Sequence, residues 1–144
     1  MQKITPFLWF DGNALEAARF YTGIFPDARI SGEMPGEGGK PMVVAFELAG
    51  QKFTALNGGP QFTFNESVSF VIGCAGQDEI DFYWNALTAD GGKESRCGWL
   101  KDRFGLSWQV VPENMGALLR TPAAMQAMMG MNKIIIADLE AAAQ

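Results

Sequence analysis

Histidine is absent from all 144 residues. That removes the commonest general base near neutral pH and the commonest ligand for zinc or iron. Any metal would have to be held by Asp, Glu, Cys or neutral oxygens. Cysteine is scarce, with Cys74 and Cys97 as the only two. Two cysteines do not make a disulfide framework, and in a reducing compartment thiols are expected. No stretch approaches the ~20 apolar residues that span a bilayer. The first ten residues also lack the apolar core and small-residue cleavage site of a signal peptide. No membrane partner and a cytoplasmic location are therefore expected. Runs of lysine or arginine are missing as well: 16 acidic and 11 basic residues leave a net charge of −5. Long-range attraction to phosphate backbones is disfavoured, which argues against nucleic acid.

What the chain does have is apolar mass, 48% of its residues. At this length it can bury a substantial core in one domain without staples. Ile4 to Phe10 reads as a strand, Asp11-Gly12-Asn13 as a turn with a helix cap, and Ala14 to Phe25 as a helix stopped by Pro26. Residues 28–33 form a further strand candidate, Pro35 to Lys40 a Gly-rich connection, and Met42 to Leu48 with Lys52 to Leu56 a hairpin about Ala49-Gly50. The order then recurs. Ser67 to Cys74 reads as a strand, and Gln77 to Ala89 sets Ile80, Tyr83, Trp84 and Leu87 on one helical face. Three short strands follow, at Lys93 to Arg96, Gly98 to Asp102 and Leu106 to Val111. Phe20-Tyr21 echoes Phe82-Tyr83, and Gly50-Gln51-Lys52-Phe53-Thr54 echoes Gly105-Leu106-Ser107-Trp108-Gln109. The spacing thus predicts an α+β fold of two βαβββ modules, at 1–62 and 63–112, within a single domain. A helical extension over 113–144 completes it, with helices at Glu113 to Leu119, Pro122 to Met129 and Ile134 to Ala143.

Three segments carry a resemblance: Ile4 to Phe10, Ala17-Ala18-Arg19-Phe20-Tyr21, and Cys97 through Pro112. The last contains Cys-Gly-Trp-Leu-x-Asp. With Ala127 to Ile134, they resemble the PhnB-like branch, also called 3-demethylubiquinone 3-methyltransferase-like, of the glyoxalase/bleomycin resistance/dioxygenase (vicinal oxygen chelate) superfamily. The resemblance implies that each module curls its strands into half of an open cup. It also implies a divalent metal bound by the first and last strand of each module. Matching the motifs puts Pro6 and Ser69 at the first-strand positions, and Thr54 and Gln109 at the last-strand ones. Pro6 has no side-chain ligand, and the other three are neutral where charge is needed to offset dehydration of a divalent ion. Asn57 and Glu66 are the nearest alternatives. No metal and no cofactor are therefore expected.

The pocket candidates are Leu8, Thr54, Ser69, Cys97, Trp99, Asp102 and Gln109. Strand alternation sets Ser107, Gln109 and Val111 on one face, with Gln109 in the cup if Trp108 packs under a helix. Trp99 could stack on a ligand or cap the cup. Cys97 reads either as a nucleophile, with Lys93, Arg96 or Lys101 lowering its pKa, or as a small buried hydrophobe. Of Asp102 and Arg103 at most one should face inward. Phe53, Phe62 and Phe64 suit a lid or the seam between modules, and the methionines of the extension suit core or dimer packing. The function expected is metal-free binding of a small, partly aromatic or apolar molecule by a homodimer. Alternatives are an enzyme of the superfamily (lyase, dioxygenase or methyltransferase-like) acting on such a molecule, or an interaction protein whose cup its own side chains fill.

Overall fold

The computed structural model describes residues 2–144 and divides into two compact units, one ending at Phe64 and the other running Asn65–Gln144. The first unit holds β1 (Phe7–Phe10), α1 (Ala14–Thr22), β2 (Arg29–Pro35), β3 (Pro41–Leu48) and β4 (Gln51–Asn57). Its sheet has the order β1-β4-β3-β2, with β1 parallel to β4 and the other pairs antiparallel. The second unit repeats this with β5 (Ser69–Cys74), α2 (Gln77–Thr88), β6 (Lys93–Glu94), β7 (Trp99–Lys101) and β8 (Ser107–Pro112), in the order β5-β8-β7-β6 with β5 parallel to β8. Both sheets are open. The α+β class and the two βαβββ modules expected from the repeat are therefore present. The helices α3 (Met115–Leu118), α4 (Pro122–Met129) and α5 (Ile136–Ala142) follow.

Each helix is explained by its period. Ala14, Ala17, Ala18 and Tyr21 are the buried residues of α1, and Ile80, Tyr83, Trp84 and Leu87 those of α2. Both sets repeat at i, i+3, i+4, i+7, the stripe of a helix lying on a sheet. The alanines let α1 approach closely, so that Tyr21 stacks on Phe46, centroids 6.1 Å apart, and Phe46 on Phe53 at 5.3 Å. Each such ring, fully buried, stabilises the unit by roughly 1.5–3 kcal/mol. Strand alternation then decides the other face. Leu8, Phe10, Val44, Phe46, Phe53 and Ala55 are buried on the α1 side, while Thr54 and its partner Phe7 point the other way. Leu8 is thus core, packed on the face opposite Thr54, and the expectation that it lines a pocket is corrected.

Other local expectations shift for identifiable reasons. Ala49 and Gly50 both have positive φ, 49° and 83°, the geometry of a tight two-residue hairpin loop. Asn13 occupies the cap position of α1 but makes no capping bond. Asn57 does that work from the end of β4, its Oδ1 accepting from Ala14 N at 2.9 Å and its Nδ2 donating to Pro41 O at 2.8 Å. In the second unit Gln77 fastens the C-terminal extension: its Nε2 donates to Ile134 O and its Oε1 accepts from Ile136 N. Lys133 pairs with Asp81 at 2.8 Å, which holds the Asp81 carboxyl below the usual range. The strand expected to reach Arg96 stops at Glu94, because the backbone turns through left-handed Cys97 and Gly98. Phe62 packs edge-on against Trp9 and Phe64 against Phe10, so both aromatics pack on the first unit's own sheet. Asn57→Ala should lower stability by about 1–2 kcal/mol, leaving a helix-terminal N–H without its acceptor. Urea denaturation checks this, with an unchanged m-value expected.

Candidate functional site

The hairpin β7–β8 builds the site. Arg103-Phe104-Gly105 is a three-residue loop with Gly105 left-handed at φ 89°, closed by Asp102 N donating to Leu106 O at 2.9 Å. The Asp102 carboxylate, 3% exposed, lies inside it. Its Oδ1 accepts from Phe104 N at 2.9 Å and Leu106 N at 3.1 Å, and its Oδ2 accepts from the Trp108 indole Nε1 at 2.8 Å. Trp108 itself is core, tilted against Phe70 at 5.7 Å. Asp102 therefore fixes the hairpin and its oxygens point away from the helix-free face. It does not join the other pocket candidates.

With Trp108 on the α2 side, alternation sends Ser107, Gln109 and Val111 to the helix-free face. Register adds their neighbours. One row across the sheet reads Val71, Gln109, Trp99, and the next reads Ser69, Ser107, Lys101, Lys93, in the spatial order β5-β8-β7-β6. Gln109 Nε2 donates to Ser69 Oγ at 2.9 Å, which brings two of the pocket candidates together, with Trp99 beside them. Beyond Trp99 a cavity of about 230 Å³ opens, lined by Trp99, Lys101, Lys93, Ser107, Glu66 and Glu94 among others. Lys101 Nζ contacts Glu66 Oε1 at 3.1 Å, an ion pair that lowers the Glu66 carboxyl pKa. Ser107 is fully buried, and its Oγ has no hydrogen-bond partner among the described residues. Ser107, Lys101 and Lys93 line this cavity, and none is among the pocket candidates read from the sequence. The signal was available: a three-residue loop that sets Asp102 opposite Leu106 also sets Lys101 opposite Ser107.

Thr54 is in the other unit, on the equivalent face. There the cavity of about 310 Å³ is lined by Thr5, Arg29, Ala45, Glu47, Lys52 and Thr54 among others. Thr54 pairs with Phe7 as Gln109 pairs with Val71, and Phe7 and Val71 are 61% and 60% exposed. With Thr54 matched to Gln109, the counterpart of Ser69 is Thr5, one residue before the expected Pro6. Arg29 Nε and Glu47 Oε2 close a cross-strand ion pair at 2.7 Å, which lowers the Glu47 pKa.

A divalent metal of the kind implied by the fold does not suit these side chains. Thr5, Thr54, Ser69 and Gln109 are neutral, and the Ser69 oxygen already accepts from Gln109. Among the described residues no three His, Cys, Asp or Glu side chains cluster. Asn57, the alternative ligand, is occupied at α1. No helix among the described residues is long and apolar enough to cross a membrane.

Cys97 is half-buried, in a left-handed conformation at φ 61° that L side chains rarely adopt. Its N donates to Met131 O at 2.8 Å and Gly98 N donates to Asn132 O at 2.8 Å, so the C-terminal segment clamps this backbone. Cys74 is buried, and desolvation, helped by Glu79 and Glu113, pushes its thiol up to about 12.

Comparison with known proteins places the chain in a family. The family model described as 3-demethylubiquinone-9 3-methyltransferase matches residues 2–111. A PhnB protein of Bacillus cereus is 31% identical over 76% of this chain and 99% of its own, with a TM-score of 0.71. The fosfomycin resistance protein FosX of Listeria monocytogenes, 17% identical, covers 83% of this chain and 98% of its own at a TM-score of 0.58. A glyoxalase/bleomycin resistance protein of Albidiferax ferrireducens, 13% identical, covers 76% and 97% at 0.51. The last two share the fold. No curated protein matches.

Asp102→Asn sets an amide N–H against donors that now face an oxygen. It should cost on the order of 2–3 kcal/mol in chemical denaturation and blue- or red-shift the Trp108 emission. A thiol near 12 is ionised to on the order of one part in 10⁴ at pH 8. Iodoacetamide at that pH should therefore label Cys97 and leave Cys74 unmodified in the folded protein, as peptide mass mapping would read.

Proposed function

Because the chain belongs to the 3-demethylubiquinone-9 3-methyltransferase family, the PhnB-like branch of the glyoxalase and bleomycin-resistance fold, we propose that it is a small-molecule-binding protein that works without a metal. The ligand lies on the helix-free face of the second sheet. The observation that carries this is the row in which Trp99 stands directly opposite Gln109, itself bonded to Ser69, at the edge of a cavity. Such a surface combines one flat apolar wall with a few fixed polar groups, the usual make-up of a ligand site. Thr54 and Cys97 stay outside this row, Thr54 on the first unit's sheet and Cys97 two residues before Trp99.

The metal-free part rests on donor chemistry. Neutral hydroxyls and one amide do not offset the dehydration of a divalent ion. Methyl transfer finds little support, since neither strand-to-helix turn, Asp11-Gly12-Asn13 or Ala75-Gly76, has the Gly-rich pattern that cradles a dinucleotide-like donor. Metal-free chemistry at Asp102 is disfavoured because the hairpin occupies its oxygens.

Elemental analysis of the purified protein should find no stoichiometric iron, zinc, manganese or nickel. A panel of small mono- and bicyclic aromatics should include members that perturb tryptophan emission, and Trp99→Ala should weaken them about tenfold while Trp9→Phe leaves them unchanged. One equivalent of bound metal, or ligand responses that survive in Trp99→Ala, would sink the reading.

A further inference from the structure

We propose that the cavity of the second unit recognises an oxyanion group, carboxylate or phosphate-like, on its small-molecule ligand, with the Ser107 hydroxyl, Lys101 and Lys93 as donors. This rests on the binding reading above and names the chemistry of the ligand.

Three observations converge on it. The first is Ser107. A buried hydroxyl without a partner is unfavourable, because it gives up water and gains nothing. Ser107 lines the cavity, and its neighbours in the row do not satisfy it. A ligand acceptor placed there would.

The second is the row itself. Lys93 lies directly opposite Lys101 on antiparallel strands, and like charges in that relation repel. Lys101 is relieved by Glu66, but Lys93 makes no ion pair among the described residues. The first unit shows the same frame with an acid inside the row. There the equivalent positions are Arg29 and Glu47, closed on each other at 2.7 Å, and the residue opposite Glu47 is Lys52. Where the first unit has a glutamate, the second has Lys101, and where the first has a lysine, the second has Ser107. The second row thus carries two ammonium groups and two hydroxyls with no acid within it.

The third is Glu66. Its carboxylate comes from the segment before β5 and sits on Lys101 at 3.1 Å, with the side chain 65% exposed. The lysine already holds one carboxylate on the solvent side of the cavity, and a ligand oxyanion can share or displace it. Glu94, the other acid in the lining, is engaged by Asn132 Nδ2 at 3.3 Å. Ser69 accepts from Gln109, so its own hydroxyl proton remains available to the same row. Trp99, in the neighbouring row, then offers its face to the body of the ligand.

Nitrogen-15 NMR titration of the full chain with benzoate, inorganic phosphate and benzamide tests this. Benzoate or phosphate should shift the amides of Lys93, Trp99, Lys101 and Ser107. Benzamide, the neutral analogue of benzoate, should bind about tenfold more weakly. Ser107→Ala and Lys93→Gln should each weaken the anion severalfold, and Ser107→Ala should melt no lower than the parent, since its hydroxyl has no internal partner. Response to benzoate alone marks a carboxylate site, and response to phosphate alone marks a phosphate-like one. Either result, or both together, supports the proposal. Benzamide binding as well as benzoate, with shifts centred on Trp99, would overturn the oxyanion assignment and leave the binding reading intact. Silence of this face toward all three probes would overturn the assignment too, and the aromatic panel would then decide the broader reading separately. A markedly lower melting temperature for Ser107→Ala would make that hydroxyl structural and remove it from the proposal.

Discussion

The carboxylate of Asp102 holds two backbone N–H groups of the loop that follows it and the indole N–H of Trp108 on the next strand. With those three bonds made, the loop has one length and β7 meets β8 in one register. Register governs everything on the second sheet, because slipping by one residue sends every side chain to the opposite face. A slip here would expose Trp108 and Val110 and drive Gln109 and the buried Ser107 under α2. A charged group buried at the turn thus sets the site's composition without touching a ligand. Its bonds to Trp108 also oppose the slip energetically, since breaking them would strand a buried charge.

The two units apply one backbone plan to different side chains. Their strand orders are identical, and positions matched by register differ in chemistry: Thr54 against Gln109, Ala45 against Trp99, Glu47 against Lys101, Lys52 against Ser107. In the first unit Glu47 stands between Arg29 and Lys52 within the row, and Ala45 leaves a small methyl beside Thr54. In the second the choices leave a large ring, an amide and two lysines whose acid, Glu66, comes from outside the row. The helix-side faces, by contrast, use the same solution twice, a stripe at i, i+3, i+4, i+7 on an apolar sheet face. The core therefore constrains the shared plan, and the helix-free faces are where the units are free to differ.

Sequence patterns revealed those parts of the structure that are set locally. The helical stripes, the Ala49-Gly50 hairpin and the repeated module order follow from periodicity and turn chemistry. Trp108 as core and Gln109 on the far face follow from alternation once one residue is anchored. The misreadings share a cause: each depends on a partner distant in sequence. Asn13 stands where a cap belongs, yet the bond to Ala14 N comes from Asn57, 43 residues beyond Ala14. Leu8 lies in an apolar run whose alternation is invisible, so its facing is decided by the parallel pairing with Ala55. Pro6 and Thr5 cannot be told apart until Phe7 is matched with Thr54. Asp102 looked like a pocket acid because sequence shows a charge but not the indole that uses it. Ser107 was overlooked because a serine in a strand is ordinary until its burial and its missing partner are seen.

The electrostatics of the second sheet bear on the metal-free reading proposed for this chain. Gln109 and Ser69 are neutral and offer a cation no charge, and the adjacent row adds repulsion. Lys101 and Lys93 lie in a row about 7 Å farther along the strand direction, one and two strands across from Gln109. An ammonium in that row repels a cation at Gln109, less strongly as its strand lies farther off and as solvent screens it. Glu66 offsets one of the two lysines. On the proposed reading the charge that disfavours a metal at Gln109 also favours an anion at Ser107, and the neutral Gln109 and Ser69 act in the same direction on the same face of the sheet.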